Sequence, residues 1–112
     1  MWKSRAILAA AACASVQANA AADDVQQQFN RAAWCRVHAQ LLPAMVKQTD
    51  EGRAFAAYVH DFWIKRSDAL WIKMGKSPES AEIAYLLIEI TPDKERIKQC
   101  VSEAAQSAPN RH

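Results

Sequence analysis

The sequence predicts an all-α fold, a small four-helix bundle closed by one disulfide between its first and last helices. Three observations carry that expectation. Turn and breaker residues cut the chain into four segments, and no segment alternates apolar and polar residues as a half-buried strand would. The composition is that of a folded domain, with 51% apolar and 23% charged residues and only two glycines in 112 residues. Two cysteines, Cys35 and Cys100, stand far apart, one in the first segment and one in the last.

The first 20 residues read as a secretory leader. Met1 to Arg5 forms a short basic start, Ala6 to Val16 is weakly apolar, and Ala18-Asn19-Ala20 fits the small-x-small cleavage pattern. Cleavage is expected after Ala20, or after Ala22, leaving residues 21–112 as one helical domain in the bacterial periplasm or outside the cell. Cys13 as a lipidated residue is the weaker alternative. The residues before it, Ala10-Ala11-Ala12, lack the usual upstream Leu. The leader also accounts for the formal charge of +2. Lys3 and Arg5 are two of the 14 Lys and Arg, and the rest equal the 12 Asp and Glu. A neutral mature domain argues against a nucleic-acid partner. No apolar run is long enough to span a membrane once the leader is gone.

The first helix is expected from Asp23 to Gln48, with Asp23 and Asp24 at its positive end and Pro43 kinking it or ending its regular part near Leu42. Thr49-Asp50-Glu51 supplies a cap and first-turn acids for the second, which runs to Met74 and stops at Gly75. Ser77-Pro78-Glu79 restarts the chain as N-cap, N1 and N2 of a third, to Ile90. Its run Ile83-Ala84-Tyr85-Leu86-Leu87-Ile88-Glu89-Ile90 is apolar nearly all round, the mark of a central helix. Thr91-Pro92-Asp93 repeats the start signal for the fourth, to Gln106, and residues 107–112 form a fraying tail. In an oxidising compartment Cys35 and Cys100 are expected to pair. The long loop they close is worth roughly 4 kcal/mol in the chain-entropy model.

Catalytic and metal sets are missing. The chain has no Cys-x-x-Cys, no His-x-x-x-His, no Gly-x-Ser-x-Gly and no glycine-rich phosphate loop. His60 and Asp61 are neighbours and point about 100° apart on a helix, so they form no oriented dyad. Neither an enzyme, nor a metal site, nor a cofactor is expected. His38 lies among Trp34, Leu41, Leu42 and Met45. The plain expectation is a partly buried imidazole satisfied by local hydrogen bonds, and the rival is a pH-sensing site.

The second helix carries two faces. Phe55, Tyr58, Val59, Phe62, Trp63, Ala69, Leu70 and Met74 fall within an arc of about 160° and read as core. Arg66 projects from the middle of that arc and must snorkel or find an acid. On the opposite side His60, Ile64 and Trp71 line up, an apolar pair ringed by polar groups. They are expected to contact a partner protein or a second copy of the chain. The plan resembles two groups of small exported bacterial helical proteins. Periplasmic acid-stress chaperones share the size, the leader and a Trp just before the first cysteine, here Trp34-Cys35. Periplasmic immunity proteins that neutralise secreted cell-wall hydrolases have a similar layout. The expected function is therefore an exported, non-enzymatic protein-binding module, an inhibitor, immunity or adaptor protein. An acid-stress chaperone is the alternative, and a small-ligand carrier using the bundle interior comes after it.

Overall fold

The computed structural model describes residues 24–108. The expectations for the leader, for Asp23 and for the last four residues lie outside the described residues. Within them the chain is helical and no strand forms. Helix α1 covers 24–38 and passes through a 3₁₀ turn, Ala39–Leu41, into the short α2, Leu42–Met45. Helix α3 is the longest, Asp50–Lys73. A 3₁₀ turn at Pro78–Ser80 leads into α4, Ala81–Leu86, and α5 covers Lys94–Gln106.

The breakers act largely where local chemistry requires. Pro43 occupies the first turn of α2, where its missing N–H costs nothing. The regular helix therefore ends at residue 38, ahead of Leu42, and the chain tightens into the 3₁₀ turn before the proline. Thr49 caps α3, its Oγ1 accepting from the Gly52 N–H at 3.0 Å. Gly52 lies so close to the Lys47 carbonyl that a side chain there would overlap it. Gly75 ends α3 at φ +79°, a conformation glycine adopts without strain. The cap of α5 is Asp93, accepting from the Arg96 N–H at 3.1 Å, two residues later than the Thr91 start signal indicated. Ser77 does hold the N-cap position of its turn, but its hydroxyl donates to the Glu79 carboxylate and caps nothing.

The core lies where α3 meets α1 on one side and α5 on the other. Toward α5, Trp63 Nε1 donates to the Cys100 carbonyl at 3.0 Å and Tyr58 Oη to the Ala104 carbonyl at 3.1 Å. Toward α1, Phe29 packs on Trp71 with ring centroids 5.0 Å apart. Cys35 of α1 and Cys100 of α5 stand at disulfide distance, 2.08 Å between sulfurs and 5.6 Å between Cα atoms. The Arg31–Glu103 ion pair bridges the same two helices. Arg66 snorkels, its guanidinium 5.4 Å from the Phe62 ring centre.

One segment departs from expectation. Residues 83–90 form neither a long nor a central helix. Helix ends at Leu86, and Thr91, which precedes a proline, is biased away from helical backbone. The centre is also taken, because α1 and α5 are in direct contact through the two cysteines. Helix α4 therefore lies on the outside.

Candidate functional site

Of the residues expected to form a partner surface on α3, Trp71 is turned toward α1. Trp71 is only 7% exposed, packed on Phe29, with Nε1 donating to the Ser77 carbonyl at 2.7 Å. Ile64 is half-buried, and its carbonyl accepts from the Ser67 hydroxyl at 3.1 Å. His60 is half-buried as well. Burial, and then the positive charge of Arg36, push its pKa below the ordinary value, with Asp61 partly opposing. The geometric expectation of a free back face is therefore corrected at Trp71, which packs on Phe29 of α1, while Ile64 and His60 stay partly exposed. A helix period identifies two faces of α3 as apolar but cannot say how far each is covered.

Met45 of α2 and Ile72 of α3 are exposed singly, but most of the exposed apolar surface lies elsewhere. Ile83, Leu86, Leu87 and Ile90 are 64, 77, 81 and 50% exposed, and all belong to the segment between α3 and α5. Tyr85, Ala84 and Ile88 face inward from the same segment and pack against the core. Four large aliphatic side chains on about eight residues of chain is a concentrated patch, unlike the scattered single exposures of ordinary surfaces.

Three polar contacts fasten this segment to the long helices. Trp71 holds its start through Ser77. Tyr85 holds its middle: the phenol donates to Asp68 Oδ1 at 3.1 Å and lies 3.1 Å from the Ser67 hydroxyl. Arg36 of α1 completes that cluster. It pairs with Asp68 at 2.9 Å, donates to Ser67 at 3.2 Å and lies 3.8 Å from the Tyr85 ring centre. Burial pushes the Tyr85 pKa up, an effect countered by the Ser67 hydrogen bond and by Arg36. His38 holds the end of the segment. Its Nε2 accepts from the Thr91 N–H at 3.0 Å, and its Nδ1 lies 2.9 Å from the Trp34 carbonyl. The imidazole is 1% exposed and stacks on Trp34 at 3.7 Å. The expectation of local hydrogen bonds is met on the Trp34 side only; the second partner is 53 residues away in sequence.

Grooves run along both flanks of α4. One, of about 370 Å³, is lined by Arg36, Asp68, Ile72, Pro78 and Tyr85 among others. The other, of about 500 Å³, has Phe29, Trp34 and Trp71 in its lining, with Lys76, Leu87 and Arg96. Among the described residues no cluster of three or more His, Cys, Asp or Glu could hold a metal, and no helix is long and apolar enough to cross a membrane. Comparison with protein-family models, with curated proteins and with solved structures found no match.

Proposed function

We propose that the protein is an exported, non-enzymatic protein-binding module of the bacterial periplasm, an inhibitor, immunity or adaptor protein. Its contact surface is the strip Ile83, Leu86, Leu87 and Ile90, in place of the α3 face His60, Ile64 and Trp71. The observation that carries this reading is the exposure of all four aliphatic side chains on a segment held down by Trp71, Tyr85 and His38. Leaving such a strip in water costs solubility unless something covers it, and a held segment gives up little conformational freedom when it is covered. Export rests on the leader-like first 20 residues, and pairing of Cys35 with Cys100 suits an oxidising compartment.

Site-specific crosslinking tests the reading. A photoreactive residue at Leu87 should give a discrete adduct in periplasm of the expressing cell. The same residue at Lys65, on the exposed face of α3, should not. Leu86→Glu with Leu87→Glu should abolish partner capture and move the melting temperature by no more than about 4–8 °C, since exposed substitutions change stability by only about ±0.5 kcal/mol each. Equal adducts at both positions, or capture unaffected by the double substitution, refute the strip. Intact mass of the exported chain tests the leader: it should lack residues 1–20 or 1–22.

A further inference from the structure

The two hydrogen bonds of His38 fix where its ring proton sits. The Trp34 carbonyl can only accept, so Nδ1 carries the hydrogen. The Thr91 N–H can only donate, so Nε2 presents its lone pair. Both nitrogens of the neutral ring are satisfied, and the group is buried. A second proton would have to enter at Nε2, where the Thr91 hydrogen already points. Proton uptake and the Thr91 bond exclude one another.

We propose that His38 is a proton-controlled latch that sets the position of the apolar strip. This inference rests on the strip being the contact surface and adds its regulation. The bond to His38 is the only hydrogen bond made by the backbone of residues 89–92 among the described residues. Pro92 has no N–H to offer, and the first α5 bond starts at Asp93. Losing the Thr91 bond therefore frees the stretch that carries Ile90 and joins α4 to α5. The other two fastenings, an indole N–H and a phenol, keep their protons through the mildly acid range. Of the three, only the imidazole presents a nitrogen lone pair that can take up a proton.

The charged groups on the elements around His38 leave its proton uncompensated. On α1, Arg36 is engaged with Asp68 of α3. On α5, Arg96 lies 4.1 Å from the centre of the same Trp34 ring on which His38 stacks, and adds positive charge beside it. Asp93 caps the Arg96 N–H, and Glu89 of the connector is exposed. The stretch Ala39–Met45 holds no charged residue. His60, the other described histidine, is on α3 and feels the charge of Arg36. No carboxylate forms an ion pair with His38 among the described residues.

Nitrogen-15 NMR of the whole mature protein tests the latch. At pH 7.5 the imidazole spectrum should show a protonated Nδ1 and a lone pair on Nε2, and the Thr91 amide should exchange slowly. The pH is then lowered to 5 and Nε2 is followed for the gain of a proton. Thr91 protection should drop over the same interval, by roughly tenfold relative to the intrinsic rate, about the worth of one hydrogen bond. His38→Gln supplies an amide that can donate to Trp34 and accept from Thr91 without titrating, so its Thr91 protection should not change with pH. Protonation of Nε2 with Thr91 protection intact overturns the latch, and so does an equal loss in His38→Gln. The wild-type titration decides the matter alone if the variant does not fold. Crosslinking from Leu87 at both pH values separates the two readings. No adduct at either pH counts against the strip, while the Thr91 titration still decides the latch.

Discussion

The helices α1, α3 and α5 and the segment 77–92 solve the same burial problem in opposite ways. The helices bury aromatic rings and let their polar atoms reach backbone carbonyls across the interface, as Trp63 does at Cys100 and Tyr58 at Ala104. The segment buries one side, through Tyr85, Ala84 and Ile88, and leaves four large aliphatic side chains in solvent. Three polar fastenings add to this one-sided packing, where the helices rely on enclosure. Apolar content alone therefore does not mark the centre of this fold. What marks it is which helices the cysteine pair and the aromatic rings bring together.

Trp71 belongs to both regions, so it breaks the comparison most severely. Trp71→Ala removes the ring packed on Phe29 and the donor that holds Ser77. Urea unfolding should show a loss of about 3–5 kcal/mol. Leu87→Ala, equally apolar by sequence, should stay within about ±0.5 kcal/mol. Similar losses for the two would mean that the strip is core. Separation of the long helices comes next. Cys100→Ser should cost about 2–5 kcal/mol, and non-reducing mass spectrometry of the wild type should show two hydrogens fewer than the reduced chain. Thermal melts with and without reductant should differ for the wild type and coincide for the variant.

A smaller effect has a diagnostic sign. Replacing glycine inside a helix by alanine ordinarily gains up to about 1 kcal/mol. At Gly52 the new methyl would meet the Lys47 carbonyl, which is backbone and cannot swing aside. Gly52→Ala should therefore destabilise, by about 1–3 kcal/mol as overpacking does. A gain in melting temperature would show that the 46–49 turn yields freely.

Much of this organisation is legible in the sequence because it is written in local chemistry. Thr49, Gly75 and Pro43 punctuate the chain within a few residues of where they are expected, and α3 spans nearly its expected range. Cys35 and Cys100, expected to pair, stand at disulfide distance. What is hidden is long-range. The partner of His38 is Thr91, and the proton acceptor of Tyr85 is Asp68; no spacing rule links either pair. Thr91 illustrates the limit well. With Pro92 behind it, it reads as a helix start, but its N–H serves a ring on α1 and Asp93 takes the cap. The outer position of residues 83–90 is hidden for a related reason. An all-round apolar run is consistent with a central position, and only the packing of α1 on α5 excludes it.

His60 gives the smallest effect and sharpens the comparison between the two described histidines. His38 fastens the segment; His60 is a half-buried residue of α3 that feels the charge of Arg36. Burial and Arg36 together hold the His60 pKa below its ordinary 6.5 in the folded chain. The unfolded chain thus takes up the proton first as the pH falls. The contribution of this group to stability is complete above about pH 6.5, declines as the pH drops toward the folded value, and is constant below it. The ring is only half-buried, so solvent screening keeps the contribution under that of a fully buried group. Urea midpoints at pH 7.5, 6 and 5 should fall less steeply for His60→Gln than for the wild type. Thr91 amide exchange in His60→Gln should still follow the pH as it does in the wild type. Were His60→Gln to abolish the response at Thr91, the pH dependence of the connector would originate between α1 and α3, and His38 would be a passive link in it.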